Sequence, residues 1–142
     1  MSFEIKAINH ITFTVENLDR SIYFYESILN GRLVAKGPGL AYFDIAGTWL
    51  ALNIETEIPS GQRQKTYTHL AFSMSDEEQV QFVKHLEEHK IEYTYGRIRN
   101  KREGSSLYIR DYDGHLFEFH SKTLKDRLEF YKEERDDIEV YV

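Results

Sequence analysis

The chain has 142 residues, a formal net charge of −6, 30% charged and 41% hydrophobic residues, and no cysteine. That length suits one domain with a real core, and the acidic balance excludes general attraction to nucleic acid. Without cysteine no protein thiolate can act as nucleophile, redox centre or zinc ligand; no apolar run approaches a membrane span and the early residues do not form a signal peptide, so the expected compartment is the cytoplasm.

In chain order, a strand is predicted over 7–15 (INHITFTV within it), then a helix over 17–30, capped by Asn17 or Asp19. Strands follow over 32–36, 40–46 and 48–54, with Ala-Gly-Thr turning between the last two. A loop containing Pro59 and Gly61 separates this half from the next. The second half reads as a strand over 67–74 and a helix over 76–89 that opens at Ser75 or Asp76, with Val80, Phe82, Val83 and Leu86 on one side. Strands over 91–96, 106–111 and 115–121 follow, with Asp111-Tyr112-Asp113-Gly114 as a turn, and the tail holds a short amphipathic helix, TLKDRLEFYKEE. The basic stretch with Arg97, Arg99, Lys101 and Arg102 reads first as a solvated turn and, in competition, as a pocket for a small anion.

Both halves spell βαβββ. INHITFTV (8–15) lies over YTHLAFSM (67–74), with His10 over His69, and AYFDIAGTWLALN (41–53) lies over LYIRDYDGHLFEFH (107–120). This is a duplication with a period of about 60 residues, present twice, which makes an α+β fold of two modules (about 7–56 and 66–121) in one domain, with residues 122–142 as helix and tail. The two modules are expected to curve around one cavity.

Strand alternation then places side chains. His10 shares a face with Ile8, Thr12 and Thr14; His69 with Tyr67 and Ala71; Glu118 with Leu116 and His120; and Ala51, the counterpart of Glu118, with Trp49 and Asn53. The duplication thus offers four equivalent positions, three with metal-binding side chains and the fourth with a methyl group. Two histidines and a carboxylate with an open position suit a divalent metal acting as a Lewis acid on a small oxygen ligand. A lone strand histidine is more often a satisfied core residue, and Glu118 alone could face outward; the repeat is what joins them. His85 and His89 have ligand spacing on a helix but read as solvated, and His115 and His120 read as residues behind the ligands or at the surface.

The blocks INHITFTVENLDRSIYFYESIL, YFDIAGTWLALN, YTHLAFSM and SSLYIRDYDGHLFEFHSKTLKDRLEFY, in this spacing, resemble the fosfomycin-resistance proteins of the vicinal oxygen chelate superfamily over nearly the whole chain. The resemblance implies paired βαβββ modules, a domain-swapped homodimer whose metal sites draw ligands from both subunits, and metal-assisted opening of the epoxide of fosfomycin by a thiol. It implies His10, His69 and Glu118 as metal ligands, Thr12 beside the epoxide, and Tyr42 as a second catalytic hydroxyl. Trp49, Tyr67, Ser106 and Tyr108 become substrate residues, with Arg102 and Arg127 as phosphonate-binding cations. Mn2+ or Mg2+ is the expected metal, with Zn2+, Ni2+ or Co2+ as alternatives.

Three chemistries share this framework. The hydrating group uses a carboxylate base where this chain has Leu40, which cannot take a proton from water. The glutathione group pairs an S-E-G-x-S loop with a lysine; here the loop is Arg102-Glu103-Gly104-Ser105-Ser106 and the lysine is missing. The remainder resembles the bacillithiol-type metallothiol transferases, which use bacillithiol or L-cysteine, although Thr12 stands where that group usually has Cys and Tyr112 where it has Pro. Outside this class, the reading to compete with is a non-enzymatic protein that sequesters drugs in an aromatic groove.

Overall fold

The structure is a computed structural model that describes residues 2–57, 66–97 and 100–142. The expected loop with Pro59 and Gly61, and Arg99 of the basic stretch, lie outside the described residues. The chain forms two compact units: residues 1–65 with 111–115, and residues 66–110 with 116–142.

The first unit runs β1 (His10–Val15), α1 (Leu18–Tyr23) continued by a π-helical turn (Phe24–Ile28), β2 (Arg32–Lys36), β3 (Leu40–Ile45) and β4 (Thr48–Ile54). Its sheet has the order β1-β4-β3-β2, with β1 parallel to β4 and the other pairs antiparallel. The second unit runs β5 (His69–Ser73), α2 (Asp76–Glu88), β6 (Tyr93–Tyr95), a 3-10 turn (Lys101–Glu103), β7 (Ser106–Arg110), β8 (Leu116–His120) and α3 (Leu124–Glu134). Its sheet repeats the pattern as β5-β8-β7-β6, again with the outer β5 parallel to β8. The two-fold βαβββ reading of the sequence is thus the observed topology, with strand ends shorter than expected by up to three residues.

Each sheet buries one face. In the first unit Val15, Phe43, Leu50 and Leu52 are fully buried together with Phe24, Tyr25 and Ile28 of the helical segment. In the second, Leu107, Ile109, Phe117 and Leu86 are the equivalent core, and Phe82 of α2 packs 4.7 Å from Phe119. The opposite face of β1 carries exposed His10 and Thr12, and that of β5 exposed His69 and Ala71. Removal of apolar area from water on one face leaves the other for polar side chains.

Three features depart from expectation. The single helix predicted over 17–30 is capped by Asn17, whose side chain accepts from the Arg20 N–H, but it widens after Tyr23. The wider turn, with Leu29 N–H donating to Phe24 O, lets the consecutive residues Phe24 and Tyr25 both be buried. On α2 the buried face is Gln79, Phe82 and Leu86, while Val80 is 55% exposed; the Gln79 amide donates to the carbonyls of Met74, Ser105 and Phe119 at 3.1–3.3 Å. Helical phase places 79 with 82 and 86, and the amide replaces an apolar side chain by satisfying backbone acceptors.

The third is the Asp111–Gly114 turn, which is a clamp within the first unit. Asp111 accepts the Tyr25 hydroxyl at 2.7 Å, the backbone N–H groups of Asp113 and His115 at 3.0 and 2.8 Å, and pairs with His115 Nδ1 at 2.7 Å. Asp113 accepts the Glu16 N–H at 3.0 Å and lies 3.7 Å from Arg20. Tyr112 packs 5.5 Å from Phe24 and under the Arg20 guanidinium. His115 is therefore a structural partner of Asp111 and Phe13, whose ring lies 4.5 Å away.

Burial pushes the Asp111 carboxyl up, but its donors together outweigh burial and hold it below the ordinary carboxylate range; burial next to Asp111 raises the Tyr25 phenol well above its ordinary value. A depressed carboxylate contributes stability that is present above its unfolded pKa of about 4 and lost as pH falls through the lower folded value. Asp111→Asn should therefore cost on the order of 2–3 kcal/mol at neutral pH. Denaturant unfolding across pH should also show the wild type losing stability more steeply than the variant on acidification.

Candidate metal centre

The strand registers determine which side chains meet. In the first unit His10 pairs with Trp49 and Thr12 with Ala51, while Tyr42 of β3 stands opposite Ala51 on its other side. In the second unit His69 pairs with Leu116, Ala71 with Glu118, and Tyr108 stands opposite Glu118. Ala51 and Glu118 hence hold the same place in the two registers, as do Thr12 and Ala71, and Tyr42 and Tyr108. Leu40, opposite Asn53, is the counterpart of Ser106, opposite His120.

The second unit brings two of the three expected ligands together. His69 Nε2 lies 2.8 Å from Glu118 Oε1. His69 Nδ1 is 2.6 Å from the Tyr67 carbonyl, an acceptor only, so Nδ1 carries a proton and Nε2 is the nitrogen turned to Glu118. Glu118 is 7% exposed, and its other oxygen, Oε2, accepts from Ser106 Oγ at 2.5 Å. Two donors on one divalent ion, each with a bond of about 2.1 Å, lie about 3 Å apart when they are cis, which is the spacing seen here. Both are also fixed from behind by a carbonyl and a hydroxyl, the arrangement that orients metal ligands and sets their basicity.

Around Glu118 the contacts continue. Tyr108 OH is 2.8 Å from Tyr67 OH, and Ser106 Oγ is 2.7 Å from His120 Nδ1. Arg127 donates to His120 Nε2 at 3.3 Å and to the Glu103 carbonyl at 3.2 Å. Arg127 Nε and Glu103 Oε1 are buried atoms with no hydrogen-bond partner. Burial works to raise the Glu118 carboxyl, but the Ser106 hydroxyl, the neighbouring His69 and the Tyr108 hydroxyl outweigh it, leaving it below its ordinary value and anionic. The Tyr108 phenol is raised, by burial first and then by Tyr67 and Glu118.

The first unit holds the other expected ligand. His10 stacks on Trp49 with ring centroids 4.4 Å apart, and its Nδ1 is 2.7 Å from Asn9 Oδ1, which leaves Nε2 as the nitrogen open to a ligand. Tyr42 packs edge-on against Trp49 at 5.3 Å, and Trp49 is 41% exposed. Thr12 is exposed on the same face as His10.

Arg102, expected as a phosphonate cation, lies against α3, where it pairs with Glu133 at 2.5 Å and sits over the Phe130 ring. Gly104, at φ 87, lets the loop turn from this residue into β7; an added Cβ would lie 2.6 Å from Lys122 Cγ. Sequence reasoning placed His120 on the Glu118 face, two residues along, but could not see that Ser106 and Arg127 grip its two ring nitrogens. Asp111 and Asp113, read as turn residues, carried no signal of their buried roles.

Ser106→Ala removes the hydroxyl donated to Glu118 Oε2, and divalent-metal affinity measured by calorimetry should fall about 10- to 100-fold with the circular dichroism spectrum unchanged.

Comparison with known proteins agrees with this geometry. The family model for the Glyoxalase/Bleomycin resistance protein/Dioxygenase superfamily matches residues 7–119. The metallothiol transferase FosB of Lysinibacillus sphaericus is 44% identical over 137 residues, covering 96% of this chain and 97% of that protein. The fosfomycin resistance protein FosX of Listeria monocytogenes, solved with Mn(II) and sulfate, superposes with a TM-score of 0.80 at 34% identity, covering 90% of this chain and 99% of that one. A mutant of the same Listeria protein, solved with Mn(II) and dihydroxypropylphosphonic acid, gives 0.80 at 33% identity over 90% and 99% of the two chains. With the duplicated register, the His69–Glu118 pair and a family match over most of its length, this chain belongs to the Glyoxalase/Bleomycin resistance protein/Dioxygenase superfamily.

Proposed function

We propose that the protein is a divalent-metal-dependent thiol transferase that confers fosfomycin resistance by adding a low-molecular-weight thiol, bacillithiol or L-cysteine, across the drug's epoxide. The observation that carries this reading is the His69 Nε2–Glu118 Oε1 pair, 2.8 Å apart, with its counterpart position occupied by Ala51. Near-full-length identity to a metallothiol transferase supports transferase chemistry. A phosphonate bound together with Mn(II) in a structural relative supports the substrate class.

In this reading His10, His69 and Glu118 hold the metal, Mn2+ or Mg2+, and the working unit is a homodimer in which His10 of one subunit completes the site of its partner. The modules 7–56 and 66–121 act as one domain with the 122–142 tail. The compartment is the cytoplasm, where small thiols stay reduced; among the described residues no helix is long and apolar enough to cross a membrane.

A divalent cation there supplies Lewis-acid stabilisation for the negative charge that grows on the epoxide oxygen as the ring opens. Ala51, with only a methyl group, leaves room for the substrate where the other module has Glu118. Thr12, in register with Ala51, supplies a hydroxyl to the opening oxygen, and Tyr42 on its other flank supplies a second. Trp49 walls the pocket beside His10 and excludes water. Tyr67, Ser106 and Tyr108 offer hydroxyls to the phosphonate, Arg127 contributes its unpartnered Nε–H, and Arg102 joins by exchanging Glu133 for the anion. The thiolate sulfur attacks the epoxide carbon, the carbon–oxygen bond breaks, and the released oxygen takes a proton to become a hydroxyl. Leu40, with no proton acceptor, stands at the position where hydration needs a base.

Mass spectrometry of fosfomycin incubated with Mn2+, protein and each thiol should show the thiol adduct, and Glu118→Gln should lose both bound metal and at least 100-fold in turnover. A diol product would point to hydration instead. No reaction in the presence of Mn2+ and thiol, with the drug still bound by the protein, would point to sequestration.

A further inference from the structure

A second group of ligating side chains lies at the far end of α2. His85 and His89 occupy positions i and i+4 of the helix, and their rings are 4.4 Å apart. One nitrogen or oxygen atom from each of His85, Glu88 and His89 lies within 4.8 Å of the others. Both histidines are half-buried, contrary to the solvated pair expected from their Lys- and Glu-rich neighbourhood.

The geometry is set by the helix end. Ile91 N–H donates to Leu86 O at 2.9 Å and Lys90 N–H to Glu87 O at 3.1 Å, with Lys90 at φ 56, so the chain closes in a Schellman motif with His89 as the capping residue. His89 Nδ1 lies 2.8 Å from the His85 carbonyl, which accepts only, so the ring carries its proton on Nδ1 and keeps Nε2 as the ligating atom. The His85 ring stands edge-on to Phe82, which is itself in the core. Two imidazoles are thus held by a rigid backbone at a helix C-terminus, where the helix dipole favours positive charge. The exposed Glu88 carboxylate reaches the same point, with water free to complete the shell.

We infer that His85, Glu88 and His89 form a second metal site, for a borderline-soft divalent ion such as Zn2+, Ni2+ or Cu2+, separate from the centre built on Glu118. Imidazole ligands favour these ions over Mg2+ and Mn2+, which prefer oxygen ligands. Bound metal joins two successive turns at the end of α2 and so stabilises the second unit.

The test uses the full-length Glu118→Gln protein, in which the first centre is disabled, and a triple variant that adds His85→Ala and His89→Ala. Zn2+ alone is the probe, read by equilibrium dialysis with elemental analysis and by thermal unfolding. Glu118→Gln should retain about one equivalent of Zn2+ per chain with a raised Tm, and the triple variant should bind at least tenfold more weakly with no Tm shift. Circular dichroism of the two metal-free proteins checks that α2 is intact; if the triple variant has lost helix, His89→Gln replaces the double alanine change and is held to the same tenfold loss. Equal Zn2+ binding in the variants, or none in Glu118→Gln, overturns the site. Failure of the Glu118 reading alone would show instead as wild type and Glu118→Gln binding the same amount, so the two readings fail separately.

Discussion

The parallel pairing of the first strand with the last in each module is the constraint on which the rest depends. Because β1 runs beside β4 and β5 beside β8, a residue in the last strand is placed opposite a residue 39 or 47 positions earlier. A one-residue slip would turn Glu118 from the polar face into the core and Phe117 out of it. The register is held by the buried alternation Leu50, Leu52 and Phe117, Phe119, so the same apolar residues that stabilise each sheet also aim the side chains of its polar face.

Glu118 shows how the fold tolerates a buried carboxylate. Its two oxygens are divided between different tasks: one faces His69, and the other is held by Ser106, behind which stand His120 and Arg127. An anion this buried needs a cation or several donors, and Ser106, His69 and Tyr108 together hold it ionised. The duplicated module carries no such chain, since Leu40, Ala51 and Asn53 replace Ser106, Glu118 and His120. Duplication built two equal cradles, and divergence left a carboxylate in one and a methyl group in the other.

Much of this was legible in the sequence because strands alternate with a fixed period. Overlaying 41–53 on 107–120 is enough to match Ala51 with Glu118, and the two βαβββ modules follow from the repeat. What stayed hidden depends on partners far away in the chain. Nothing local in SIYFYESIL announces the π turn, which exists so that Tyr25 can reach Asp111, 86 residues later. Gln79 breaks the apolar pattern of α2 because its amide serves three carbonyls from other segments. Arg102 reads as a free cation until α3 brings Glu133 beside it.

The central claim is that His10 works with the His69–Glu118 pair of a partner subunit as one centre. Mixing inactive His10→Ala with inactive Glu118→Gln under conditions that exchange subunits tests it directly. If the ligands come from both chains, half of a mixed dimer regains a complete set, and random exchange should restore about a quarter of wild-type activity. Mixed dimers that form, as native mass spectrometry would record, and yet stay inactive would contradict the account.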